Sequence, residues 1–233
     1  MIANTSPTPD DIQAIFDRIA PVYDQLNQIL SLGQHRIWKL MTVKWSNPPV
    51  GGMGLDICCG SGDLTQMLSR QLGSQGQAIG LDFSQEQLAI ARQRSTHQRI
   101  IWQVGDALNL PFAADTFDCG TMGYGLRNVT DIPRCLRELH RVLKPKAKAA
   151  ILDFHRPSQP WLQAFQSWYL QTVVVPTAQN LGLKDEYAYI APSLDRFPTG
   201  EQQVKLSHEA GFTQAIHYPI ANGMMGVLVL TKN

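Results

Sequence analysis

The chain has no block of lysine and arginine: 20 basic residues are scattered among 19 acidic ones, and the formal net charge is +1. A nucleic-acid partner, held by a stripe of positive charge that tracks the phosphates, is therefore not expected. Nor does any apolar run reach the roughly 18 residues of a membrane span. The first residues, MIANTSPTPDDIQ, carry Asp10 and Asp11 where a secretory signal would carry positive charge. A cytosolic location is the expectation, with contact to a membrane from outside allowed. Cysteine is scarce too. Cys58, Cys59, Cys119 and Cys135 form neither a CxxC pair nor a zinc-type His/Cys spacing, so no metal site is expected. Neighbouring residues seldom meet disulfide geometry, and Cys58 and Cys59 read as two small side chains at the end of a buried strand. There is no internal repeat and no low-complexity tract.

What the sequence does have is a globular balance, with 44% apolar and 17% charged residues over 233 positions. That length suits one α/β domain with a helical appendage. The stretch NPPVGG at 47–52 reads as a linker between an N-terminal helical segment, 1–50, and a main domain, 51–233. Within the first segment, Ile12, Ile15, Phe16 and Ile19 follow helical spacing until Pro21 interrupts, and HRIWKLMTVKW (35–45) is a second periodic run. Beyond Gly52, short apolar runs alternate with amphipathic ones. MGLDIC, QAIGLD, RIIWQVGD, FDCGTMG and KAAILDF read as strands, while LTQMLSRQL, QEQLAIARQR and IPRCLRELHRVL read as helices. Such alternation predicts a Rossmann-like, mostly parallel sheet with helices on both faces and a ligand site at the carboxyl ends of the strands. Near the end, GFTQAIHYPI and GMMGVLVLTK flank the turn signal ANG and predict an antiparallel hairpin closing the sheet.

The turn after the first predicted strand, LDICCGSGDLT (55–65), places Asp56 four residues before Gly60, with Gly62 beyond. Glycines there let backbone approach a ligand closely. A dinucleotide fingerprint would require a third glycine where Thr65 stands, and a P-loop would require Gly-Lys-Ser/Thr, which is absent. Asp63, at the helix start, would repel a pyrophosphate but tolerate an ammonium or sulfonium, which points to S-adenosylmethionine. Asp82, ending the second strand, can accept both hydroxyls of a ribose. Asp106, with Ala107, ends the third and can accept from an adenine amino group. A lone aspartate is usually a turn or cap residue. Three at successive strand tips make a shared adenosine site the better reading.

FDRIAPVYDQLNQILSLGQHRIWK (16–39), LDICCGSGDLT, YGLRNVTDIPRCLRELHRVLKP (124–145) and FPTGEQQVKLSHEAGF (197–212) together resemble the class I S-adenosylmethionine-dependent methyltransferases. More closely, they are similar to the ubiquinone/menaquinone C-methyltransferase family. CCGSGDL, LDFSQEQL, AILDFHRP and EYAYIAPSLDRFPTG are similar to its cyanobacterial and plastid branch, which methylates demethylphylloquinone. The resemblance covers the chain from about residue 10 onward. It implies S-adenosylmethionine as cofactor, contacted at Thr65, Asp82, Asp106 with Ala107, and the backbone of Gly123, and a prenylated naphthoquinol as substrate. Tyr23, Arg127 and Asn128 are implied on the substrate side.

The implied reaction moves a methyl group from sulfonium to a ring carbon that becomes nucleophilic once a neighbouring hydroxyl is deprotonated. Arg127 suits stabilisation of that oxyanion, Asn128 a further hydrogen bond, and Tyr23 positioning of the ring. His155 is a second candidate base, because it follows a strand and titrates near neutrality. The plainer alternatives are a turn in which Arg127 pairs with a surface carboxylate and Asn128 caps the next helix, and a packed aromatic at Tyr23. The N-terminal helices and WLQAFQSWYLQTVVVP (161–176) are expected to form a lid and tail channel and a surface that rests on the bilayer interface. A homodimer is allowed. The competing functions are methylation of another prenylated quinol, demethylmenaquinol or a benzoquinol, and an NAD(P)-dependent reductase on the same sheet, which the missing third glycine disfavours.

Overall fold

Strands whose residues are apolar on both faces must be covered on both faces, and the run from Met53 onward obeys this rule. The computed structural model describes residues 33–95, 99–179 and 190–233. Five parallel strands, β1 (Met53–Ile57), β2 (Gln77–Asp82), β3 (Ile100–Val104), β4 (Phe117–Gly123) and β5 (Leu143–Phe154), are followed by an antiparallel pair, β6 (Gln214–Ile220) and β7 (Met225–Thr231). Their order across the sheet is β3-β2-β1-β4-β5-β7-β6. The expected hairpin is present, with its turn at Ala221–Gly223, where Asn222 and Gly223 take positive φ of 54° and 83°. Its second strand docks inward: β7 pairs with β5 from Lys148↔Thr231 to Phe154↔Met225, and β6 takes the edge. An edge tolerates Pro219, which has no N–H to give a ladder.

The strand expected at KAAILDF begins earlier, at Leu143, directly after the preceding helix. Its lead-in pairs irregularly with β4, the register shifting between Phe117 and Cys119, and Lys146 has a φ of 68°. A bulge of this kind lets the chain leave the helix and join the sheet without a separate loop.

Helices α1 (Gln34–Trp45), α2 (Asp63–Leu72), α3 (Gln85–Arg94) and α4 (Ile132–Val142) carry the apolar stripes read from sequence. Helix α5 (Pro160–Tyr169) continues through a π-helical stretch, Leu170–Val174, into α6 (Val175–Gln179). Two more follow: α7 (Ile190–Arg196) and α8 (Gly200–Glu209), the latter closed by a capping box between Thr199 and Gln202. Strand alternation sorts the core into two layers. Leu55, Ile57, Phe117, Ile151 and Leu228 pack with Leu136, Leu139 and Val142 of α4 and with Phe212 on one face. Val43 of α1 meets Leu64, Leu68 and Leu72 of α2 on the other, where Trp38 and Trp45 also cover Leu152 and Val227. Each fully buried leucine here contributes roughly 1.5–3 kcal/mol. The described part of the N-terminal segment is thus packed onto the main sheet. Among the described residues, no helix is long and apolar enough to cross a membrane.

Candidate active site

The tips of β1, β2 and β4 and the loop after β3 open into a cavity of about 290 Å³. Its floor is the turn after β1. Cys58 sits there with φ of 55° and Gly60 with φ of 52°, so the chain reverses sharply and turns backbone towards the cavity. Gly62 has φ of 87°, and a Cβ on it would lie 2.4 Å from the ring of Trp102, so only glycine fits between that ring and the start of α2. Gly62 does not itself line the cavity. Cys58 and Cys59 are free thiols whose pKa values burial pushes well above the ordinary range, in keeping with small packing side chains.

Asp56 is fully buried at the end of β1. Its Oδ2 accepts from Thr65 Oγ1 at 2.5 Å and its Oδ1 from Thr121 Oγ1 at 2.8 Å. Burial raises its pKa to about 7, against the pull of the two hydroxyls and of Lys39. The Thr65 hydroxyl therefore lies behind the wall, holding Asp56, instead of lining the cavity as a direct contact would require. Asp82 accepts from Gly60 N at 2.8 Å and from Ser84 N at 2.9 Å, which fixes its carboxylate on the cavity wall. Asp106 Oδ1 accepts from Leu108 N at 2.8 Å. With Ala107, Gly123 and Asn128 it lines the same cavity, so most of the sequence-selected residues do meet.

The remaining candidates lie elsewhere. Arg127 is set one residue behind Asn128, and its partner is a buried carboxylate, not a surface one. Nε is 3.3 Å from Asp153 Oδ1, the backbone N donates to Asp153 Oδ2 at 2.9 Å, and the two side chains are only 6% and 2% exposed. Nη1 also donates to Ser193 Oγ of α7, and the guanidinium carbon is 5.5 Å from the centre of the Phe154 ring. Asn128 does not cap α4; it donates to Tyr124 O at 2.9 Å, and Asp131 is the cap. His155 is outside the cavity, which corrects its expected role there. Strand parity keeps it on the α8 face, with Nε2 3.0 Å from His217 Nε2 and 3.4 Å from Gln203 Nε2. Burial, with His217 beside it, holds His155 down at about 3, so it is neutral at physiological pH. Tyr23 lies outside the described residues.

Sequence reading missed Lys39. It sits on the buried stripe of α1 with His35, Thr42 and Val43, and its Nζ reaches Asp63 Oδ2 at 3.1 Å. The signal was a lysine at a position where helical periodicity demands burial. Asp63 thus does not face a ligand alone. Asp56, Asp63, Asp82 and Asp106 nevertheless set four carboxylates against one ammonium among the described lining residues, a field that favours a cationic ligand. No group of three or more His, Cys, Asp or Glu among the described residues is placed to hold a metal.

The sequence profile of the ubiE/COQ5 methyltransferase family matches residues 4–232. The chain is 62% identical over 225 residues to 2-phytyl-1,4-naphtoquinone methyltransferase of Nostoc sp., covering 95% of this chain and 98% of that one. It is 51% identical over 224 residues to the chloroplastic 2-phytyl-1,4-beta-naphthoquinone methyltransferase of Arabidopsis thaliana, covering 94% and 86%. The fold matches a crystal structure of a SAM-dependent methyltransferase from Thermotoga maritima with a TM-score of 0.67 at 21% identity, covering 95% of this chain and all of the other.

Proposed function

From the premise that this chain belongs to the ubiE/COQ5 methyltransferase family, we propose that it transfers a methyl group from S-adenosylmethionine to a ring carbon of 2-phytyl-1,4-naphthoquinol. The observation that carries this reading is the high identity to two enzymes named for that ring and tail, one cyanobacterial and one plastid. The acid-lined cavity fits the donor's positive charges. S-adenosylmethionine supplies a methyl group already activated by its sulfonium. Asp82 would hold the ribose hydroxyls, Asp106 and Ala107 the adenine, and Asp56 with the Gly60 backbone the amino-acid portion.

The chain's remaining task is to favour a negatively charged ring. Deprotonating one hydroxyl of the quinol makes the adjacent carbon nucleophilic. One S–CH3 bond is then exchanged for one C–CH3 bond, and the ring carbon gives up its hydrogen as a proton. Arg127, which does not line the cavity but lies directly behind Asn128, would stabilise the oxyanion from there through Nη2, which carries no hydrogen bond among the described residues, while Asp153 and Ser193 immobilise the guanidinium. Asn128, on the cavity wall, would place the ring. Holding carbon, methyl and sulfur in line adds a proximity term of about 7–11 kcal/mol. With methyl-labelled donor, naphthoquinols carrying a phytyl tail should become labelled on the ring carbon, and benzoquinols should be labelled at least about tenfold more slowly. Preferential labelling of benzoquinols would reject the substrate.

A phytyl tail lives in lipid, and α5 presents a surface suited to it. Trp161, Phe165 and Trp168 recur at helical spacing with 67%, 46% and 54% exposure, and the helix contains no charged residue. The stripe would rest in the headgroup region, where aromatic rings are stabilised. The wild-type protein should co-sediment with vesicles, and changing all three rings to Ser should lower partitioning by about tenfold or more. Equal partitioning of the two proteins would remove the membrane role from α5.

A further inference from the structure

The cavity offers the donor's single negative group very few places to go. S-adenosylmethionine carries a sulfonium, an ammonium and one carboxylate, and the described wall contains Asp56, Asp63, Asp82 and Asp106 but only one basic residue, Lys39. The two cations are accommodated almost anywhere along such a wall. The carboxylate is repelled everywhere except beside the ammonium.

Lys39 is built for that contact. Its side chain is 7% exposed, and its one hydrogen-bond partner among the described residues is Asp63 Oδ2, at 3.1 Å. An ammonium has three donors, so the ion pair leaves two for a ligand, and Lys39 lines the cavity. Asp63 compensates the buried charge while the site is empty and aims it while the site is filled. If Lys39 served only to tie α1 to α2, an apolar residue would do as well: Val43 already packs against Leu64, Leu68 and Leu72 one turn along the same helix.

We propose that Lys39 binds the α-carboxylate of the donor's methionine portion and thereby selects the intact amino acid over its decarboxylated form. The proposal rests on the reading of the donor given above. Calorimetric titration with S-adenosylmethionine, decarboxylated S-adenosylmethionine and 5′-methylthioadenosine tests it. The wild-type protein should prefer S-adenosylmethionine over the decarboxylated compound by about tenfold or more, the range of a charge-assisted hydrogen bond. Lys39→Gln should shrink that preference to about threefold or less while leaving 5′-methylthioadenosine affinity unchanged, and Lys39→Arg should retain the preference. Equal weakening of all three ligands by Lys39→Gln would make Lys39 a structural tie and overturn the proposal. Equal affinity of the wild-type protein for the first two ligands would overturn it without any variant. Failure of the wild-type protein to bind any of the three would remove the donor assignment itself, and this proposal with it.

Discussion

Arg127→Gln should lower kcat for methyl transfer by about 10²–10³-fold while leaving donor affinity within about threefold, because one oxyanion donor in a preorganised site has that worth. Two different effects of the substitution must be separated. Arg127 neutralises Asp153, which is almost wholly buried and also accepts from the backbone N–H groups of Arg127 and Phe154. Removing one member of such a pair leaves an uncompensated charge and destabilises the fold by about 3–5 kcal/mol. A drop in activity could then reflect partial unfolding. The double variant Arg127→Gln/Asp153→Asn removes the stranded charge, and the single amide oxygen can still accept from one of those two N–H groups. Its unfolding midpoint should return part of the way to wild type, yet its turnover should remain as low as that of the single variant. Recovery of turnover together with stability would make Arg127 a scaffold residue.

The single variant also has a signed pH dependence. Burial raises the pKa of Asp153 even in the wild-type protein, where Arg127 opposes the shift. Without Arg127 the folded pKa rises further above the unfolded one. A carboxyl of this kind stabilises the fold while protonated, and that stability is lost as pH rises through the folded pKa. Arg127→Gln should therefore lie nearer to wild-type stability in mild acid than in mild alkali, as read by urea unfolding at the two pH values.

Strand tips were legible because they follow from local pattern alone. An apolar run ending in Asp, before a glycine turn or an amphipathic segment, places Asp56, Asp82 and Asp106 at one edge of a parallel sheet, and they lie there. The C-terminal hairpin was legible for the same reason, since ANG between two strand-like runs is a local signal. Whatever depends on contacts between distant elements was not. Lys39 reaches a partner 24 residues away on another helix, so nothing near it in sequence marks it as part of a cavity wall. His155 illustrates the converse. Following a strand does place it at the right edge of the sheet, but parity and the inward docking of β7 bring it to His217 of β6 and to α8, away from the cavity. Thr65 lies in between: the turn that contains it was recognised, and its hydroxyl faces the buried Asp56.

Asp56→Asn should make the protein more stable and a poorer binder of its donor, both effects being largest in mild alkali. Asp56 is fully buried, and its pKa is raised to about 7. In the unfolded chain a carboxyl titrates near 3.9. Between these values the folded state retains a proton that the unfolded state has lost, so stability falls as pH climbs towards 7, and above it the whole penalty of a buried carboxylate is felt. A gap of this size corresponds to roughly 2–4 kcal/mol. Asparagine never ionises and can still pair with Thr65 and Thr121, whose hydroxyls rotate to accept as well as donate. At pH 8 the variant should gain most of that amount relative to wild type, and at pH 4 almost none. A donor with two cationic groups holds Asp56 ionised, so wild-type binding near pH 7 should release a proton and tighten as pH rises, whereas the variant should do neither and should bind about 10–100-fold more weakly at pH 8. Calorimetry in buffers of different ionisation heat measures the proton, and urea unfolding measures the stability. Parallel stability curves for the two proteins from pH 4 to 8 would remove the buried charge from the account. A stability gap in favour of the variant and an affinity gap in favour of the wild-type protein, both widening as pH rises, would identify Asp56 as a charge the fold carries at its own expense in order to hold the cofactor.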